Sequence, residues 1–324
     1  MEWPSMKMRL ASFAVLASLA ASPLAAAITA KRFANPLITP RMLPGEDGAN
    51  INGPSLVRVP DWVKSPLGRY YLYFAHHGGT YIRMAYADRV EGPWHVRAGG
   101  VLRLEEAPAC RGHVASPDVV VDEGGRQLRL YFHCPIGGAD SEQKTFLALS
   151  GDGLTFTSGT TALGDAYFRV FRRPDAWYAL AWGGRVFRSP DGQQPFTPGP
   201  SPFVLSPRGA LSDSPGPRHV ALQVRPGHAW VYYSSIGDEP ERILRRRLDL
   251  RGDWKAWTVG PVEEVLRPGT PFEGADLPVV RSRVGAVTGR EHALRDPFIF
   301  EDDGRTYLLY SVAGESGIAL AELR

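Results

Sequence analysis

The carboxyl groups best placed for acid–base chemistry in this sequence are Asp118, in "SPDVVV", and Asp296, in "RDPFIF". Each stands beside a proline at the start of a short apolar run that predicts a β-strand. Two carboxyl groups can divide acid–base work, because one donates a proton while the other accepts one. The two aspartates are therefore the first candidates for catalytic residues.

Histidine is the alternative proton donor or acceptor, because its ordinary pKa lies close to neutral pH. His113 and His219 stand at the starts of strands of the same kind, so we include both as catalytic candidates. Other polar and aromatic residues recur at the starts of these strands or in the turns after the next ones, and we expect them to bind a ligand: His76, His77, Arg83, His133, Tyr167, Arg169, Trp182, Arg218, Arg295 and Glu315.

The arginines among these candidates indicate a preference for acidic ligands. Guanidinium groups bind carboxylate and sulfate through paired hydrogen bonds, so Arg83, Arg169 and Arg218 favour an acidic glycan. Arg295 directly precedes Asp296 and could equally hold that aspartate in a structural ion pair.

A fivefold repeat explains why these residues should converge. Each copy has a polar start near a proline, an apolar strand, a turn with Gly or Pro, and an aromatic strand: "NGPSLVRVPDWVKSPLGRYYLYFAHH", "ASPDVVVDEGGRQLRLYFHC", "AYFRVFRRPDAWYALAW", "PRHVALQVRPGHAWVYYSS" and "LRDPFIFEDDGRTYLLYSV". A third strand follows each copy, and a fourth follows the first four. This pattern predicts an all-β fold, a five-bladed β-propeller of four-stranded antiparallel blades. A sandwich of unrelated hairpins is the alternative.

The fifth copy lacks a fourth strand, which would leave an open sheet edge. The N-terminal segment "FANPLITP" resembles the outer-strand endings "SPFVLSP" and "EEVLRP", so we expect it to pair with the last blade and close the ring. In such a propeller the first strands of all blades line the axis in one direction. Their starts, and the ends of the second strands, would then meet at one face.

The N-terminus resembles a secretory signal, with Lys7 and Arg9 followed by "LASFAVLASLAASPLAAA". We expect cleavage near Ala27, leaving a single propeller domain over residues 28–324 that is periplasmic or extracellular; an uncleaved membrane anchor is the alternative. After cleavage no transmembrane segment is expected. Cys110 and Cys134 either form a disulfide in an oxidising compartment or remain free thiols. The net charge is only +3 without a basic run, so no nucleic-acid partner is expected.

The strand starts "RDPFIFEDDGRTYLLYS", "SPDVVVDEGGRQLRLYF" and "GPRHVALQVRPGHAWVYYS" resemble those of five-bladed propeller glycoside hydrolases, the family 43 group and its relatives in families 32, 62 and 117. The resemblance implies a carbohydrate substrate, a monomer, no required cofactor and room for a structural calcium ion at the axis. It matches Asp118 with the family's orienting aspartate. His219 resembles a histidine that lies near that calcium.

This sequence departs from the family pattern at two positions. In "NGPS", Gly53 stands where the catalytic base is expected, and blade three, "AYFRVF", lacks the acid glutamate. Asp296 resembles the "RDP" aspartate of family 32 and could replace the base, while Glu273 in "PFEGADLP" is the candidate acid. The family 117 resemblance implies instead a histidine acid, for which His113, His219 and His292 are available.

Three functions fit these observations. The first is an exported glycoside hydrolase acting at the central axial pocket on an oligo- or polysaccharide, for which the arginines suggest uronate or sulfate groups. The second is a non-catalytic carbohydrate-binding propeller, which the two departures favour. The third is a polysaccharide lyase, in which Tyr167 or a histidine removes a proton while arginine neutralises the uronate.

Overall fold

A computed structural model describes residue 1 and residues 28–33, 36–138, 141–203 and 216–324. Their regular structure consists of five antiparallel sheets and short 3-10 helices, which confirms the predicted all-β five-bladed propeller. The 3-10 helices are Pro40–Met42, Gly45–Ala49, Leu104–Glu106, Trp182–Gly184, Trp254–Ala256 and Pro271–Glu273.

Each blade has three long strands and an outer strand that is often split in two. Blade one contains Asn52–Arg58, Tyr70–Ala75, Tyr81–Ala87, His95–Val96 and Leu102–Arg103. Blade two contains Ala115–Asp122, Gln127–Pro135, Gln143–Ser150, Thr157–Ser158 and Gly164–Asp165. Blade three contains Arg169–Arg173, Ala176–Leu180, Val186–Ser189 and Thr197–Pro198. Blade four contains Pro217–Arg225, His228–Ser235, Ile243–Asp249, Thr258–Val259 and Glu263–Leu266.

Blade five closes the ring with strands from both parts of the chain. Its inner strands are Arg295–Asp302, Arg305–Ser311 and Ile318–Leu323, and its outer strand is Ala30–Arg32, which pairs antiparallel with the last of them. The pairing continues irregularly into the predicted closing segment, because the Leu37 N–H donates to the Ile318 carbonyl at 2.7 Å. Closure by an N-terminal strand is confirmed, and the strand itself lies directly before "FANPLITP".

The core consists of five apolar clusters, one between each pair of neighbouring blades. Side chains of a strand alternate between its two faces, so one strand contributes to two clusters. Tyr71 and Tyr73 pack toward blade two, whereas Leu72 and Phe74 of the same strand pack toward blade five. The aromatic alternation seen in the sequence is thus what joins the blades.

A β-bulge recurs near the start of the first strand in four blades. Two residues on that strand oppose one on its partner at Gly53–Pro54, Ser116–Pro117, Arg218–His219 and Asp296–Pro297. Gly53, Ser116 and Asp296 all have φ between 46° and 60°, and Tyr167 in blade three has φ 67°. A bulge turns side chains out of the regular alternation. These positions therefore project differently from the rest of the strand.

The two cysteines form a disulfide, Cys110–Cys134, with Cα atoms 5.4 Å apart. It joins the connection into blade two to the end of that blade's second strand. The predicted signal segment, apart from residue 1, lies outside the described residues. Within them, no helix is long and apolar enough to cross a membrane.

Candidate functional site

A cavity of about 640 Å³ opens where the blades meet. Its lining comes from four blades and from the connection into the fifth: His77, Glu142, Gln143, Asp165, Ala166, Tyr167, Trp182, Arg185, Arg218, His219, Ile236, Val284 and Gly285. Five of these are residues singled out in the sequence, namely His77, Tyr167, Trp182, Arg218 and His219. The predicted face therefore carries a cavity of ligand size.

His219 and Asp296 form a buried pair beside this cavity. The His219 Nδ1 bonds to Asp296 Oδ1, while Asp296 Oδ2 accepts from the Ser311 hydroxyl at 3.1 Å and from the Gly53 N–H at 3.3 Å. The His219 Nε2 has no partner among the described residues. Asp296 thus holds the ring of His219, which lines the cavity, and the Nε2 of this ring is left without a hydrogen bond among the described residues.

The charge state of His219 is set by its surroundings. Burial lowers the pKa of His219 well below its ordinary value, and the guanidinium groups of Arg169 and Arg218 act in the same direction. The rings of His133 and His77 also act to lower it. At neutral pH the imidazole is neutral. With its Nδ1 proton directed to Asp296, its Nε2 is a proton acceptor.

Tyr167 lies against the His219 ring. The two ring centroids are 4.3 Å apart, and on its other side Tyr167 contacts His133 at 4.1 Å. Burial raises the pKa of Tyr167 to about 12, so its phenol keeps its proton at neutral pH. Tyr167 has φ 67°, and its side chain belongs to the cavity lining. A proton acceptor and a proton-bearing hydroxyl therefore stand side by side.

A buried ionic network lies next to these groups. Glu241 binds Arg218 Nε at 2.9 Å and the Ser234 hydroxyl at 2.8 Å, and its other oxygen lies 2.8 Å from Arg295 Nε as an ion pair. Arg295 also contacts Glu315 at 3.3 Å. Each of these charged side chains is at most 6% exposed. The network joins blades four and five below the cavity.

Glu315 extends the network into blade one, where the Asn50 amide and His77 contact its carboxylate. Burial acts to raise the pKa of Glu315, but the contacts with His77, Arg295 and Asn50 outweigh it and hold that pKa at about 2. Arg295 therefore forms ion pairs, but its partners are Glu241 and Glu315 and not Asp296, the partner that the sequence suggested.

Asp118 and Arg169 join blades instead of lining the cavity. Asp118 Oδ2 accepts from the Val170 N–H at 2.7 Å, and Oδ1 lies 3.8 Å from Arg169 Nη1. Burial raises the pKa of Asp118, although Arg169 and the Val170 N–H oppose the rise. Arg169 also donates to the carbonyls of Pro117 and Val220. The structure does not bring Asp118 and Asp296 together, because their positions in the repeat differ by the length of the bulge.

Glu273 is also placed outside the cavity lining. Its carboxylate accepts from the backbone N–H groups of Gly269 and Thr270, from the Tyr310 hydroxyl at 2.8 Å and from Arg32 Nε at 2.9 Å. It caps a 3-10 helix and holds the closing strand. This is a structural environment in which every carboxylate oxygen is engaged.

The other predicted residues surround the cavity without lining it. Arg83 donates to the Asn50 carbonyl at 2.8 Å, and His76 Nδ1 accepts from the Gly78 N–H. His113 packs on the edge of His133, and burial lowers its pKa. His292 Nδ1 contacts the Leu277 carbonyl.

Sequence reasoning missed several lining residues. Gln143 begins the third strand of blade two and Glu142 directly precedes it, whereas the residue of that strand equivalent in register to Arg83 is Phe146, so the repeat did not mark them. Asp165 precedes Tyr167 by two residues. Val284 and Gly285 lie in the connection into blade five, where no periodic pattern marks them.

Each predicted axial arginine has a carboxylate partner in the structure. The partners are Asp47 for Arg83, Asp118 for Arg169, Glu241 for Arg218, and Glu241 with Glu315 for Arg295. A guanidinium already paired with a buried carboxylate gives little net attraction for another anion. The geometry therefore does not add support to an acidic ligand.

A structural calcium ion at the axis stays a prediction of the family resemblance. Calcium takes six to eight oxygen ligands. Both oxygens of Asp296 are occupied by hydrogen bonds, and in the described ranges no group of three or more His, Cys, Asp or Glu side chains stands together as metal ligands. Calcium consequently enters no step below.

His133 makes stability depend on pH. Burial lowers its pKa well below the ordinary 6.5, and His113, His77 and Arg169 act in the same direction. As pH falls below about 6.5 the unfolded chain binds a proton at this residue and the folded chain does not, so the free energy of unfolding falls.

The free energy of unfolding should therefore change less steeply with pH in a His133→Phe variant, by about 1.4 kcal/mol per pH unit. Urea unfolding at pH 7.5, 6.5 and 5.5 measures it, with His228→Phe as the control at a half-buried histidine. An unchanged slope in His133→Phe would show that His133 is protonated in the folded chain.

The sequence is 35% identical over 301 residues to "Uncharacterized protein R118" of Acanthamoeba polyphaga mimivirus. The match covers 86% of this chain and 85% of the viral protein. The chain belongs to the family of this viral protein. No family model matches the sequence.

The chain is also similar to solved structures of glycoside hydrolase propellers. The GH43_1 enzyme from Xanthomonas citri aligns with a TM-score of 0.57 at 14% identity, over 91% of each chain. CoXyl43, a GH43 β-xylosidase/α-arabinofuranosidase from a compost microbial metagenome, gives 0.58 at 14% identity, over 91% of this chain and 94% of its own. An α-L-arabinofuranosidase from Lactobacillus brevis gives 0.57 at 12%. At these identities the likeness confirms the resemblance in fold.

Proposed function

We propose that this protein is a glycoside hydrolase that cleaves an oligo- or polysaccharide in the central cavity. The observation that carries the proposal is the buried His219, whose Nδ1 is held by Asp296 and whose Nε2 has no hydrogen-bond partner in the described part of the chain. A neutral imidazole oriented by a carboxylate is a general base suited to neutral pH. The glycoside hydrolase fold supports a sugar as the ligand.

In the proposed reaction His219 Nε2 takes a proton from an attacking water molecule. The Tyr167 hydroxyl, which keeps its proton at neutral pH, donates it to the leaving oxygen. The carbon–oxygen bond of the glycoside breaks as the water oxygen bonds to the anomeric carbon, so both products carry a hydroxyl group. Asp296 stabilises the imidazolium that forms and remains ionised.

The same pair of groups favours a lyase as the second candidate. A base next to a neutral phenol can remove a proton beside a uronate carboxylate and protonate the leaving oxygen. That reaction also needs a group that neutralises the uronate. The cavity arginine that lies nearest this pair in sequence, Arg218, is paired with Glu241, and this makes hydrolysis the first choice.

The substrate is proposed to be a neutral glycan, because the charges on the lining balance. Each of these charged residues has a partner of opposite sign: Glu142 pairs with Lys144, Asp165 with Arg185, and Arg218 with Glu241. Of the structural neighbours, CoXyl43 is a β-xylosidase/α-arabinofuranosidase, and this suggests xylose- and arabinose-containing oligosaccharides as the first compounds to assay.

We also propose that the protein is exported, through the N-terminal segment described above. The Cys110–Cys134 disulfide supports this location, because such bonds persist in oxidising compartments.

Three assays on one set of glycans test the function. The full chain is incubated with xylo- and arabino-oligosaccharides and with uronate-containing polysaccharides. We expect new reducing ends without ultraviolet absorbance. Absorbance from an unsaturated product would establish the lyase instead, and binding without either product would identify a carbohydrate-binding propeller.

A further inference from the structure

The indole of Trp182 is an exposed aromatic surface at the cavity. It is 47% exposed, although most tryptophans are largely buried. Trp182 lines the cavity and lies at the end of the second strand of blade three, beyond the last buried residue of that strand. Nothing in the packing of the blades requires it there.

The backbone at Trp182 is held rigidly. The Trp182 N–H donates to the Ala166 carbonyl at 3.2 Å, and the next turn is closed by Gly184 N–H to Ala181 at 2.9 Å. Gly183 has φ 70° and Gly184 has φ 72°, conformations that permit this reversal at little cost in glycine. The Ser201 hydroxyl also binds the Gly183 carbonyl at 2.7 Å. The backbone that carries the indole is thus fixed, so that binding requires little ordering of the chain at this position.

Polar groups on the same part of the lining are fixed as well. Arg185 binds Asp165 at 3.1 Å and the Gly199 carbonyl at 3.0 Å, and Lys144 lies 3.4 Å from Asp165. Asp165 directly precedes Ala166, whose carbonyl accepts from the Trp182 N–H, and Arg185 follows Trp182 by three residues. Both residues share the cavity lining with Trp182. A carboxylate paired with a guanidinium offers acceptors and donors together, which suits vicinal hydroxyl groups.

The remaining apolar lining supports a ligand with one apolar face. Val284, which is 70% exposed, and Ile236 belong to the same cavity. The inner part, by contrast, consists of His219, Tyr167 and Arg218. A pyranose ring has an apolar face of C–H groups and a rim of hydroxyls, and it therefore matches an exposed indole beside a polar pair.

We propose that Trp182, with the Asp165–Arg185 pair, forms a second sugar subsite, which stacks a neutral pyranose ring of the chain next to the ring held at His219. The inference rests on the proposed function only in taking the ligand to be a glycan. It assigns a binding role that is independent of catalysis, because stacking requires no proton transfer.

Binding measurements test the subsite. Wild-type protein, Trp182→Ala, Trp182→Phe and Trp62→Ala are compared on an array of neutral and uronate-containing oligosaccharides, and the best ligand is then titrated as its mono-, di- and trisaccharide. Trp62 is the control, because it is half-buried in the loop at the opposite end of blade one and its indole donates to Glu123.

We expect Trp182→Ala to weaken di- and trisaccharide binding about tenfold, which is the effect of one aromatic stacking contact, and to leave the monosaccharide unchanged. Trp182→Phe should keep most of the affinity, and Trp62→Ala all of it. If Trp182→Ala binds the mono-, di- and trisaccharide with the affinities of the wild type, the subsite is overturned. If glycans are cleaved but the Trp182→Ala affinities do not change, only the subsite fails; if affinities fall as expected without cleavage, only the hydrolase fails. Absence of all glycan binding overturns both.

Discussion

Replacing His219 by glutamine lowers the rate of glycan cleavage by about 10² to 10⁴-fold, the contribution of one positioned acid–base group. Glutamine can keep a hydrogen bond to Asp296 but does not accept a proton from water at neutral pH. The loss should appear in kcat, with KM nearly unchanged, because the polar contacts of Arg218 and His77 remain. Initial rates of reducing-end release on the best substrate measure it.

Asp296→Asn tests the orienting role separately. An amide can donate to His219 Nδ1 and so favours the imidazole with its proton on Nε2, where the lone pair is needed. We expect a loss of about 10²-fold or more. His228→Gln is the matched control, since His228 lies at the other end of blade four and outside the cavity lining. If His219→Gln retains full activity, this pair has no part in catalysis.

Replacing Glu241 by glutamine lowers the free energy of unfolding by about 3–5 kcal/mol, the cost of removing one partner from a buried ion pair. The variant keeps the shape of the side chain and the contact with the Ser234 hydroxyl. It leaves the buried guanidinium groups of Arg218 and Arg295 without the carboxylate between them. Unfolding in guanidinium chloride, monitored by fluorescence, measures the shift in the denaturant concentration at the unfolding midpoint.

Glu263→Gln in the same blade is the matched control. Glu263 pairs with Arg245 at 2.6 Å but its side chain is 39% exposed, so its loss should cost at most about 1 kcal/mol. Equal midpoints for the two variants would mean that the buried ion pairs of Glu241 do not stabilise the fold more than an exposed pair does. A second substitution, Arg218→Met, should restore part of the stability lost in Glu241→Gln, because Glu241 is the carboxylate partner of Arg218 among the described residues, whereas Arg295 keeps Glu315.

The ring could be predicted from sequence because its signal is repeated five times. Period-two patterns place apolar residues on both faces of each strand, and each face has one neighbouring blade. The predicted face follows from strand direction alone. What the pattern could not give was which side chain at each strand start enters the cavity. Asp118 and Asp296 both adjoin a proline, but Asp118 follows its proline and Asp296 precedes it. Asp118 therefore lies after the bulge of its strand and Asp296 lies within one, so the two side chains point in different directions.

Glu273 shows a local signal that was overlooked. Thr270 stands three residues before it, and a Thr followed three residues later by Glu marks the N-terminus of a helix. Its carboxylate accordingly binds backbone N–H groups at 2.7 and 3.2 Å. The partners of the arginines could not be predicted in the same way, since Glu241 and Glu315 lie in turns whose approach to the axis depends on the closed ring.

Closure of blade five also fixes when this protein can become functional during synthesis. Ala30–Arg32 is synthesised before the other strands of the ring and its partner, Ile318–Leu323, after them, so the ring stays open until Ile318–Leu323 has been made. Asp296 belongs to the same late blade, and His219 has no carboxylate to orient it before then. A chain without this strand would leave the apolar faces of blades one and four that pack against blade five incompletely covered. Exposed apolar surface of this kind is prone to aggregation, and chaperones protect it until the final strand docks.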